Sequence, residues 1–347
     1  MNAKEMFREK CLIVILNWNG SSDTLSCCES LMQSEGNFDV LIIDNSSSAE
    51  QYKTLIDGLN KQAFENKLNI TYPDNIIKNY NIDLISTFYA NKSNYYVFHS
   101  TINHGFAKGC NLGAEFSSYC GYESVLFLNN DTVVEPDFLE LLIKKLDVAT
   151  AVIPQIRFYS NKEIIWNCGG DINKYGKRKY FFSNVNGEHV NFSSGTFDIT
   201  FATGCCLLFK VNSFIEIGMF TEDFFFGEED IDLSLRMKER KLKMICEPAS
   251  IIYHKVGASL AGDQRRLINK SYIHYLNRYI NIRKHLGIKW YIWLIPSTLK
   301  VLINNKKISK MPLSENISFT FSLLNDAFIL KRVTKEKFED TMMNGFK

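Results

Sequence analysis

The chain has 347 residues, of which 46% are hydrophobic and 22% charged, an ordinary composition for a globular protein with a sizeable core. Its formal net charge of +2 is too small to indicate nucleic acid as a general partner. The 9 cysteines show no CxxC or Cys/His spacing. This pattern argues against a disulfide framework or a structural zinc site and favours reduced thiols that serve as small apolar side chains.

The N-terminal segment, MNAKEMFREKCLIVIL, lacks the layout of a signal peptide. Its apolar run of about six residues leads directly into the polar Asn17. No window in the chain reaches the roughly 18 apolar residues of a spanning helix. We therefore expect a protein that faces the cytoplasm.

The first 147 residues repeat one pattern, in which an apolar strand ends in polar residues and is followed by a helix. This alternation predicts an α/β fold with a mostly parallel sheet, whose polar strand ends line one edge. Residues 60–95 show no clear period and are predicted to form an irregular insertion with at most one short strand. The predicted strands are 11–16, 40–43, 95–98, 124–128 and 201–209, and the predicted helices are 22–33, 49–59, 110–119 and 136–147.

This half of the chain has the pattern of a nucleotide-binding α/β unit, but it contains neither GxGxxG nor GxxxxGK[ST]. A dinucleotide-dependent dehydrogenase and a Walker-type NTPase are therefore disfavoured. Ligands of open α/β sheets gather beyond the carboxyl ends of the strands, so the polar residues there are candidates for chemistry.

Two of these strand ends carry carboxylates. Asp44 follows the second strand and could accept hydrogen bonds from a base edge or a ribose hydroxyl, or it could form an Asx turn with Asn45 and Ser46. Asp131 closes the stretch Asn129-Asn130-Asp131 and could hold a divalent cation, with the asparagines as neutral oxygen ligands or phosphate contacts. The alternative for this stretch is a simple turn.

The segment 103–113, NHGFAKGCNLG, enters a helix. Its glycines permit close backbone approach, and the free N–H groups of a helix N-terminus suit a diphosphate. The same glycines are also common at helix starts for purely steric reasons.

The densest acidic cluster follows three phenylalanines, in FFFGEEDIDLSLR at 224–236. Helix-dipole effects and an i,i+4 pair between Asp232 and Arg236 explain part of it. An apolar wall raises the pKa of a neighbouring carboxylate and suits it to take a proton from a sugar hydroxyl. His254, after an apolar run, is either a metal ligand or a structural histidine.

Taken together, these motifs resemble those of the family-2 inverting glycosyltransferases, closest to the bacterial rhamnosyltransferase-like branch that builds cell-surface polysaccharides. The resemblance covers about residues 11–285, in order and with natural spacing. It rests on VILNWNG (14–20), IIDNSS (42–47), NHGFAKGCNLG (103–113), LFLNNDT (126–132), TGCCLLFK (203–210), FFFGEEDIDLSLR (224–236) and YHKVGAS (253–259).

The resemblance implies a GT-A fold, a nucleotide-diphospho-sugar donor and a divalent cation, Mn²⁺ or Mg²⁺. It assigns Asp131 to the last carboxylate of the family's DxD-type metal motif, and Asp131 is the only carboxylate of that motif in this chain. It assigns His254 to a position that completes the metal site in some members. Asp230 matches the residue usually assigned as base, with Glu229 as the second candidate. The implied nucleotide or diphosphate contacts are Asn17, Asn19, Asp44, Asn45, Gly105, Phe106, Gly109, Asn111, Asn129 and Asn130.

The C-terminal third has no acidic residue between Asp263 and Glu315 but many lysines and arginines. Within it, residues 290–303 are rich in Trp, Tyr, Ile and Leu, and we expect them to be too short and too broken to span a bilayer. Basic residues beside Trp and Tyr are typical of an interfacial helix. The helix could therefore rest on the inner membrane surface, where lipid-linked acceptors lie, or pack on the catalytic domain or a partner subunit.

We therefore predict a GT-A catalytic domain over 1–260, with a donor half at about 1–135 and an acceptor half at about 136–260. A helical, membrane-associating extension follows over 261–347. The predicted reaction is transfer of a sugar, with rhamnose as a candidate, to a glycan or a lipid-linked acceptor. The enzyme is predicted to be peripheral on the cytoplasmic face of the inner membrane. The alternatives are a sugar nucleotidyltransferase, whose usual Gly-rich loop is replaced here by Asn17-Trp18-Asn19-Gly20, and a degenerate family member that acts as a binding or scaffold subunit.

Overall fold

The computed structural model describes residues 9–65, 72–192, 195–256, 264–307 and 311–346. The 9 cysteines all lie in these ranges, buried and free, as expected of thiols that serve as small apolar side chains. The predicted domain boundary at 260/261, the end of the YHKVGAS motif, the first eight residues and Lys310 of the basic run lie outside the described residues.

The described chain forms a twelve-stranded sheet and a separate two-stranded hairpin. The strand order of the large sheet is β12-β14-β8-β13-β6-β1-β2-β5-β4-β3, while β7 pairs with β14 and β9 with β8. The strands are β1 (Cys11–Asn17), β2 (Phe38–Asn45), β3 (Phe64–Glu65), β4 (Ile82–Ala90), β5 (Ser93–Ser100), β6 (Ser124–Asn129), β7 (Thr132–Val134), β8 (Ala151–Phe158), β9 (Asn161–Asn167), β10 (Gly170–Ile172), β11 (Arg178–Tyr180), β12 (Phe197–Ile199), β13 (Cys206–Lys210) and β14 (Met244–His254).

Helices cover both faces of the sheet and build the C-terminal part. Short 3₁₀ helices occur at Gly187–His189 and Gly287–Lys289. The α-helices are α1 (Ser21–Met32), α2 (Ala49–Gln62), α3 (Asp74–Asn79), α4 (Phe106–Cys120), α5 (Phe138–Ile143), α6 (Val211–Ile217), α7 (Glu229–Glu239), α8 (Gln264–Leu286), α9 (Trp290–Lys307), α10 (Leu313–Ile329) and α11 (Lys335–Asn344).

The four strands at the centre, β6-β1-β2-β5, are parallel to one another, so the predicted α/β class with a mostly parallel central sheet is confirmed. Their apolar runs are buried because one hydrophobic core lies on each face of the sheet. The register sets their polar ends side by side: Asn17 is paired with Asp44, and Asp44 with His99.

Three predicted elements differ from the structure. Residues 60–95 contain a short helix, α3, and the nine-residue strand β4, which pairs antiparallel with β5. Because β4 alternates irregularly between buried and exposed side chains, its sequence shows no clean period. The helix predicted at 110–119 begins at Phe106, directly after Gly105, and the strand predicted at 201–209 is confined to β13.

The C-terminal helices share a third hydrophobic core with the acidic helix α7 and with the start of the hairpin. Trp290 is fully buried in that core, whereas Ile292 and Ile295 on the next turn of α9 are exposed. By length and composition, the helical stretch Gln264–Lys307 could cross a membrane, and only 11% of its most apolar window is buried. This corrects the expectation that no window is long and apolar enough; length and composition alone do not show a membrane span.

Candidate active site

The ends of β1 and β2 form a buried polar cluster. Asn17 donates from Nδ2 to Asp44 Oδ1 at 2.6 Å, and its Oδ1 accepts from Thr24 Oγ1 at 2.9 Å. Both Asn17 and Asp44 are fully buried. Asn17 therefore acts within the protein as a support for the Asp44 carboxylate.

His99 takes the other oxygen of this carboxylate. Its Nδ1 lies 2.6 Å from Asp44 Oδ2, and the backbone N–H of Ser47 donates to the same oxygen at 3.3 Å. The His99 ring packs on Tyr52 at 4.4 Å between centroids. With these partners Asp44 has no oxygen turned to solvent, so any contact with a nucleotide passes through its neighbours. Sequence analysis missed His99, which the pairing of β2 with β5 would have indicated.

The surface of this cluster is formed by the turn after β1. Trp18 is 60% exposed there. Asn19 is exposed in a left-handed backbone conformation (φ 52°), and its Oδ1 accepts from the Ser48 N–H at 2.8 Å. These two side chains, rather than Asn17, are exposed above the strand ends.

Asn45 fixes the glycine loop that precedes α4. Its Nδ2 donates to Asn103 Oδ1 at 2.9 Å and to Gly105 O at 3.1 Å, while its Oδ1 accepts from the His104 N–H at 2.8 Å. Gly105 has φ +80°, and a Cβ there would lie 2.2 Å from the carbonyl oxygen of Phe225. The loop therefore presses on the segment that leads into the acidic cluster.

The later residues of this motif serve packing, which corrects their prediction as ligand contacts. A Cβ on Gly109 would lie 2.4 Å from the Leu16 side chain, so this glycine lets α4 approach β1. Asn111 is buried and donates to Phe220 O at 3.0 Å and to Glu222 Oε1 at 3.0 Å. Neither residue is open to a ligand. Phe106 is half-buried, with its ring 6.3 Å from that of Phe220.

The stretch after β6 is a turn that also presents a carboxylate. Asn129 closes the turn by accepting from Thr132 Oγ1 at 2.6 Å, and Asn130 Nδ2 donates to Thr24 Oγ1 at 3.1 Å. Because β7 pairs with β14 so that Thr132 lies opposite His254, the imidazole faces Asp131. Asp131 Oδ1 lies 3.1 Å from His254 Nε2, an ion-pair distance without the angles of a hydrogen bond.

Two polar atoms of this pair are buried without a hydrogen-bond partner, Asp131 Oδ1 and His254 Nδ1. Burial lowers the pKa of His254, but the charges of Cys205 and Asp131 outweigh burial and raise that pKa to about 10. The described residues contain no group of three or more His, Cys, Asp or Glu side chains arranged for a metal. The Asp131 carboxylate and the His254 imidazole, once the imidazole has lost its proton, would fit Mn²⁺ as two ligands, with a diphosphate and water as the remaining ones.

Among the residues that the structure describes, two acids of the cluster have ion-pair partners and two have none. Glu228 accepts from Arg278 Nε at 2.8 Å and from Asn281 Nδ2 at 3.1 Å. Asp232 lies 2.7 Å from Arg236 Nε and 3.0 Å from His285 Nε2. These two acids hold α7 in place.

The unpaired acids are Glu229 and Asp230, and they differ in burial. Glu229 is nearly buried and its Oε2 has no partner; burial and the charge of Asp230 raise its pKa to about 8. Asp230 is partly exposed, and burial raises its pKa to about 6, although Arg178 opposes the rise. At neutral pH Asp230 is therefore ionised and accessible, whereas Glu229 is protonated.

The loop before α7 is clamped by the C-terminal helices. Phe225 N donates to Val333 O at 2.9 Å and Val333 N to Asp223 O at 2.7 Å, as in a short parallel bridge. The Phe225 ring lies 5.2 Å from that of Phe338, and Phe226 is 57% exposed. The expected apolar wall is present, with the extension as its backing. Sequence analysis missed Arg278 because its partner lies 50 residues away.

Comparison with known proteins gives one family match. Residues 74–218 match the family model described as "Glycosyl transferase family 2". The match includes the glycine loop and Asp131 but ends before Asp230. No curated protein matches the chain significantly.

Two solved structures have a similar fold. The crystal structure of GalNAc-T7 with UDP, GalNAc and Mn²⁺ has a TM-score of 0.56 and 15% identity, and the match covers 91% of this chain and 54% of that one. The chain thus spans about half the length of that protein. The mannosyltransferase PcManGT from Pyrobaculum calidifontis, in complex with GDP-Man and Mn²⁺, has a TM-score of 0.50 and 11% identity, with coverage of 94% and 87%. At these identities the likeness shows the fold, which is of the GT-A type.

Proposed function

We propose that the chain is a family-2 inverting glycosyltransferase that moves a sugar from a nucleotide-diphospho-sugar to an acceptor hydroxyl. The family-model match and the GT-A-type fold support glycosyltransferase activity. The main support for the proposal is the pattern of ion pairing and ionisation in the acidic cluster. Glu228 and Asp232 are neutralised by arginines, while Asp230 stays ionised, accessible and unpaired at the start of α7.

On the donor side, the proposed nucleotide site is the edge formed by the ends of β1, β2 and β6. Trp18 and Asn19 offer an exposed aromatic face and an amide, and the asparagines at 129 and 130 lie at the neighbouring strand end. Asp131 and His254 would hold Mn²⁺ or Mg²⁺ beside the diphosphate. When bound, such a cation neutralises charge that develops on the leaving nucleoside diphosphate.

On the acceptor side, Asp230 accepts the proton of the attacking hydroxyl. The hydroxyl oxygen forms a bond to the anomeric carbon as the bond from that carbon to the diphosphate oxygen breaks on the opposite face. One displacement of this kind inverts the anomeric configuration. Glu229 is protonated at neutral pH and does not compete for the proton.

The donor sugar is tested by a hydrolysis and transfer screen over nucleotide sugars, with and without Mn²⁺. We propose a hexose or deoxyhexose, with rhamnose as a candidate on the resemblance of the motifs alone. Sugar-dependent release of nucleoside diphosphate that Asp131→Asn abolishes supports the proposal. Binding without release by the wild-type chain would instead indicate a scaffold subunit, and release of pyrophosphate from a nucleoside triphosphate would indicate a nucleotidyltransferase.

We further propose that the C-terminal helices rest on the cytoplasmic face of the inner membrane, where a lipid-linked acceptor would lie. On α9, Ile292, Ile295 and Leu299 are 76%, 67% and 56% exposed at helical spacing. On α10, Leu313 and Phe321 are each 71% exposed. Lys300, Lys306 and Lys307 of α9 would contact anionic headgroups.

Liposome co-sedimentation with the full chain tests this association. Deleting α9 would remove the buried Trp290, so the variant replaces the exposed Ile292, Ile295 and Leu299 with glutamine. Val148→Gln, at a 59% exposed apolar residue of the catalytic part, is the control. We expect the triple variant to lose binding to anionic vesicles while the control keeps it; equal binding by both rejects the membrane role.

A further inference from the structure

The hairpin of β10 and β11 lies beside the Asp230 carboxylate. The charge of Arg178 on β11 acts on Asp230, where it opposes the rise in pKa that burial causes. Burial raises the pKa of Tyr180, and the Asp230 carboxylate raises it further. The hairpin is therefore close to the group assigned here as the base, on a segment that no sequence motif singled out.

Three contacts hold the hairpin in that place. Lys238 of α7 donates from Nζ to Ile172 O, and Arg278 of α8 donates from Nη1 to Gly176 O in the turn. The Ile172 N–H donates to Thr200 Oγ1 at 2.9 Å. Since Lys238 lies on the same helix as Asp230, the hairpin and the base keep a fixed relative position.

The outer surface of the hairpin is cationic. Four basic residues, Lys174, Lys177, Arg178 and Lys179, lie within six positions, and Asp171 is the one acid between 170 and 180. In the described part of the chain, neither Lys177 nor Lys179 has an ion-pair partner within 4 Å, and both are exposed. The Arg178 guanidinium packs at 5.3 Å from the centre of the buried Phe201 ring.

Aromatic side chains alternate with these cations. Tyr175 and Tyr180 are 43% and 41% exposed, and the Arg178 guanidinium lies 5.6 Å from the centre of the Tyr180 ring. A tyrosine face provides apolar contact area with a polar tip, which suits a sugar ring. A guanidinium packed on two rings can donate N–H groups to a phosphate or a carboxylate. Because its side chain is already held in place, little conformational entropy is lost on binding.

We infer that this hairpin is the acceptor subsite and that it recognises an anionic group, a phosphate or a carboxylate, carried by the acceptor next to the hydroxyl that is glycosylated. The inference rests on the proposed function, because it takes Asp230 as the base. Arg178 and Tyr180 share one face of β11 and both lie near Asp230, whereas Lys179 points to the opposite, exposed face. Arg178 is therefore the side chain placed to hold the anion, and the exposed lysines add positive charge around it.

Isothermal titration calorimetry with the full chain tests the inference without turnover, so its failure is distinct from failure of the proposed transfer. The probes are a hexose 1-phosphate, a hexuronic acid and the neutral methyl hexoside. The variants are Arg178→Gln and the double change of the exposed Lys177 and Lys179 to glutamine, which spares the packing on Phe201. Lys61→Gln, at an exposed lysine at the end of α2, is the control.

We expect at least one anionic probe to bind about tenfold more tightly than the neutral one, with that preference lost in Arg178→Gln, reduced in the double lysine variant and kept in the control. The two anionic arms tell phosphate from carboxylate recognition. Equal binding of all three probes to the wild-type chain, or a preference unchanged in Arg178→Gln, overturns the inference. Competition by UDP, GDP or dTDP also overturns it, because the anion would then occupy the donor site.

Discussion

The Glu228 carboxylate lies 2.8 Å from the Arg278 guanidinium, and this contact joins the acidic cluster of the catalytic part to helix α8 of the extension. The Glu228 side chain is 1% exposed and that of Arg278 is 15% exposed. Because Glu228 directly precedes the helix that carries Asp230, the extension sets the position of the base. The C-terminal helices are thus part of the active-site support.

Arg278→Gln is predicted to destabilise the protein by roughly 3–5 kcal/mol, because it leaves the buried Glu228 carboxylate without its cation. Urea unfolding monitored by circular dichroism measures the change. The double variant Glu228→Gln/Arg278→Gln should recover part of the loss, since no buried charge then remains. A single variant as stable as the wild type would show that the pair does not hold α7.

Glu229→Gln is predicted to stabilise the protein at high pH. Burial raises the pKa of Glu229 from 4.5 to about 8, so the folded state retains a proton that the unfolded state has lost. Stability from this group is complete below pH 4.5 and is lost as the pH rises to about 8.

The variant should therefore match the wild type at pH 4 and exceed it by roughly 4–5 kcal/mol at pH 9. Glu239→Gln, at an exposed position of the same helix, is the control and should change little at either pH. A Glu229→Gln stability gain that does not depend on pH would contradict the raised pKa.

Removal of either predicted metal ligand should weaken Mn²⁺ binding. Asp131→Asn and His254→Gln are each expected to reduce Mn²⁺ affinity, measured by electron paramagnetic resonance with UDP, GDP or dTDP present, by about 10-fold or more. Asp137→Asn, an exposed carboxylate six residues further on, is the matched control. Wild-type Mn²⁺ affinity in both ligand variants would place the metal elsewhere.

Gly105→Ala is predicted to lower the free energy of unfolding by more than the positive φ of this residue alone would explain. Both Gly105 (φ +80°) and Gly195 (φ +72°) adopt left-handed backbone, but only at Gly105 would a Cβ meet a neighbour, the Phe225 oxygen at 2.2 Å. Gly195→Ala should cost about 1 kcal/mol in thermal unfolding, and Gly105→Ala clearly more. Equal costs would mean that the glycine loop is not pressed on the Phe225 segment.

The fold of the N-terminal half was predictable from the sequence because each of its buried strands is an unbroken apolar run that ends in polar residues. The register then placed Asn17, Asp44 and Asn130 near one another, as a parallel sheet requires. The sequence did not indicate which of these face a ligand. Asp44 is enclosed by His99 of β5, the strand paired with β2, and no local pattern reports that pairing.

The predictions for Gly109 and Asn111 were wrong because the start of α4 was placed too late. Because α4 begins at Phe106 instead of residue 110, Gly109 and Asn111 lie inside the helix, where they pack on β1 and on Phe220. The clamp between Glu228 and Arg278 depends on contacts between residues far apart in sequence, so no motif could reveal it. The metal, membrane and donor-sugar assignments stay predictions.

The pH dependence of transfer provides a separate check on the base. The pKa of Asp230 is raised to about 6, and the base is active when deprotonated. Below pH 6 the transfer rate should therefore fall about tenfold per pH unit, and above pH 6 it should level off. Arg178→Gln removes a cation that lowers this pKa, so the rising limb should move to higher pH.

The most direct test of the account is a comparison of Asp230→Asn with the wild type, at saturating donor and with the exposed Glu239→Gln as control. Transfer to the acceptor and the Kd for the donor are measured separately. The account predicts transfer lowered roughly 100-fold or more by Asp230→Asn, with donor affinity unchanged. Wild-type transfer by Asp230→Asn would contradict the assignment of Asp230 as the base.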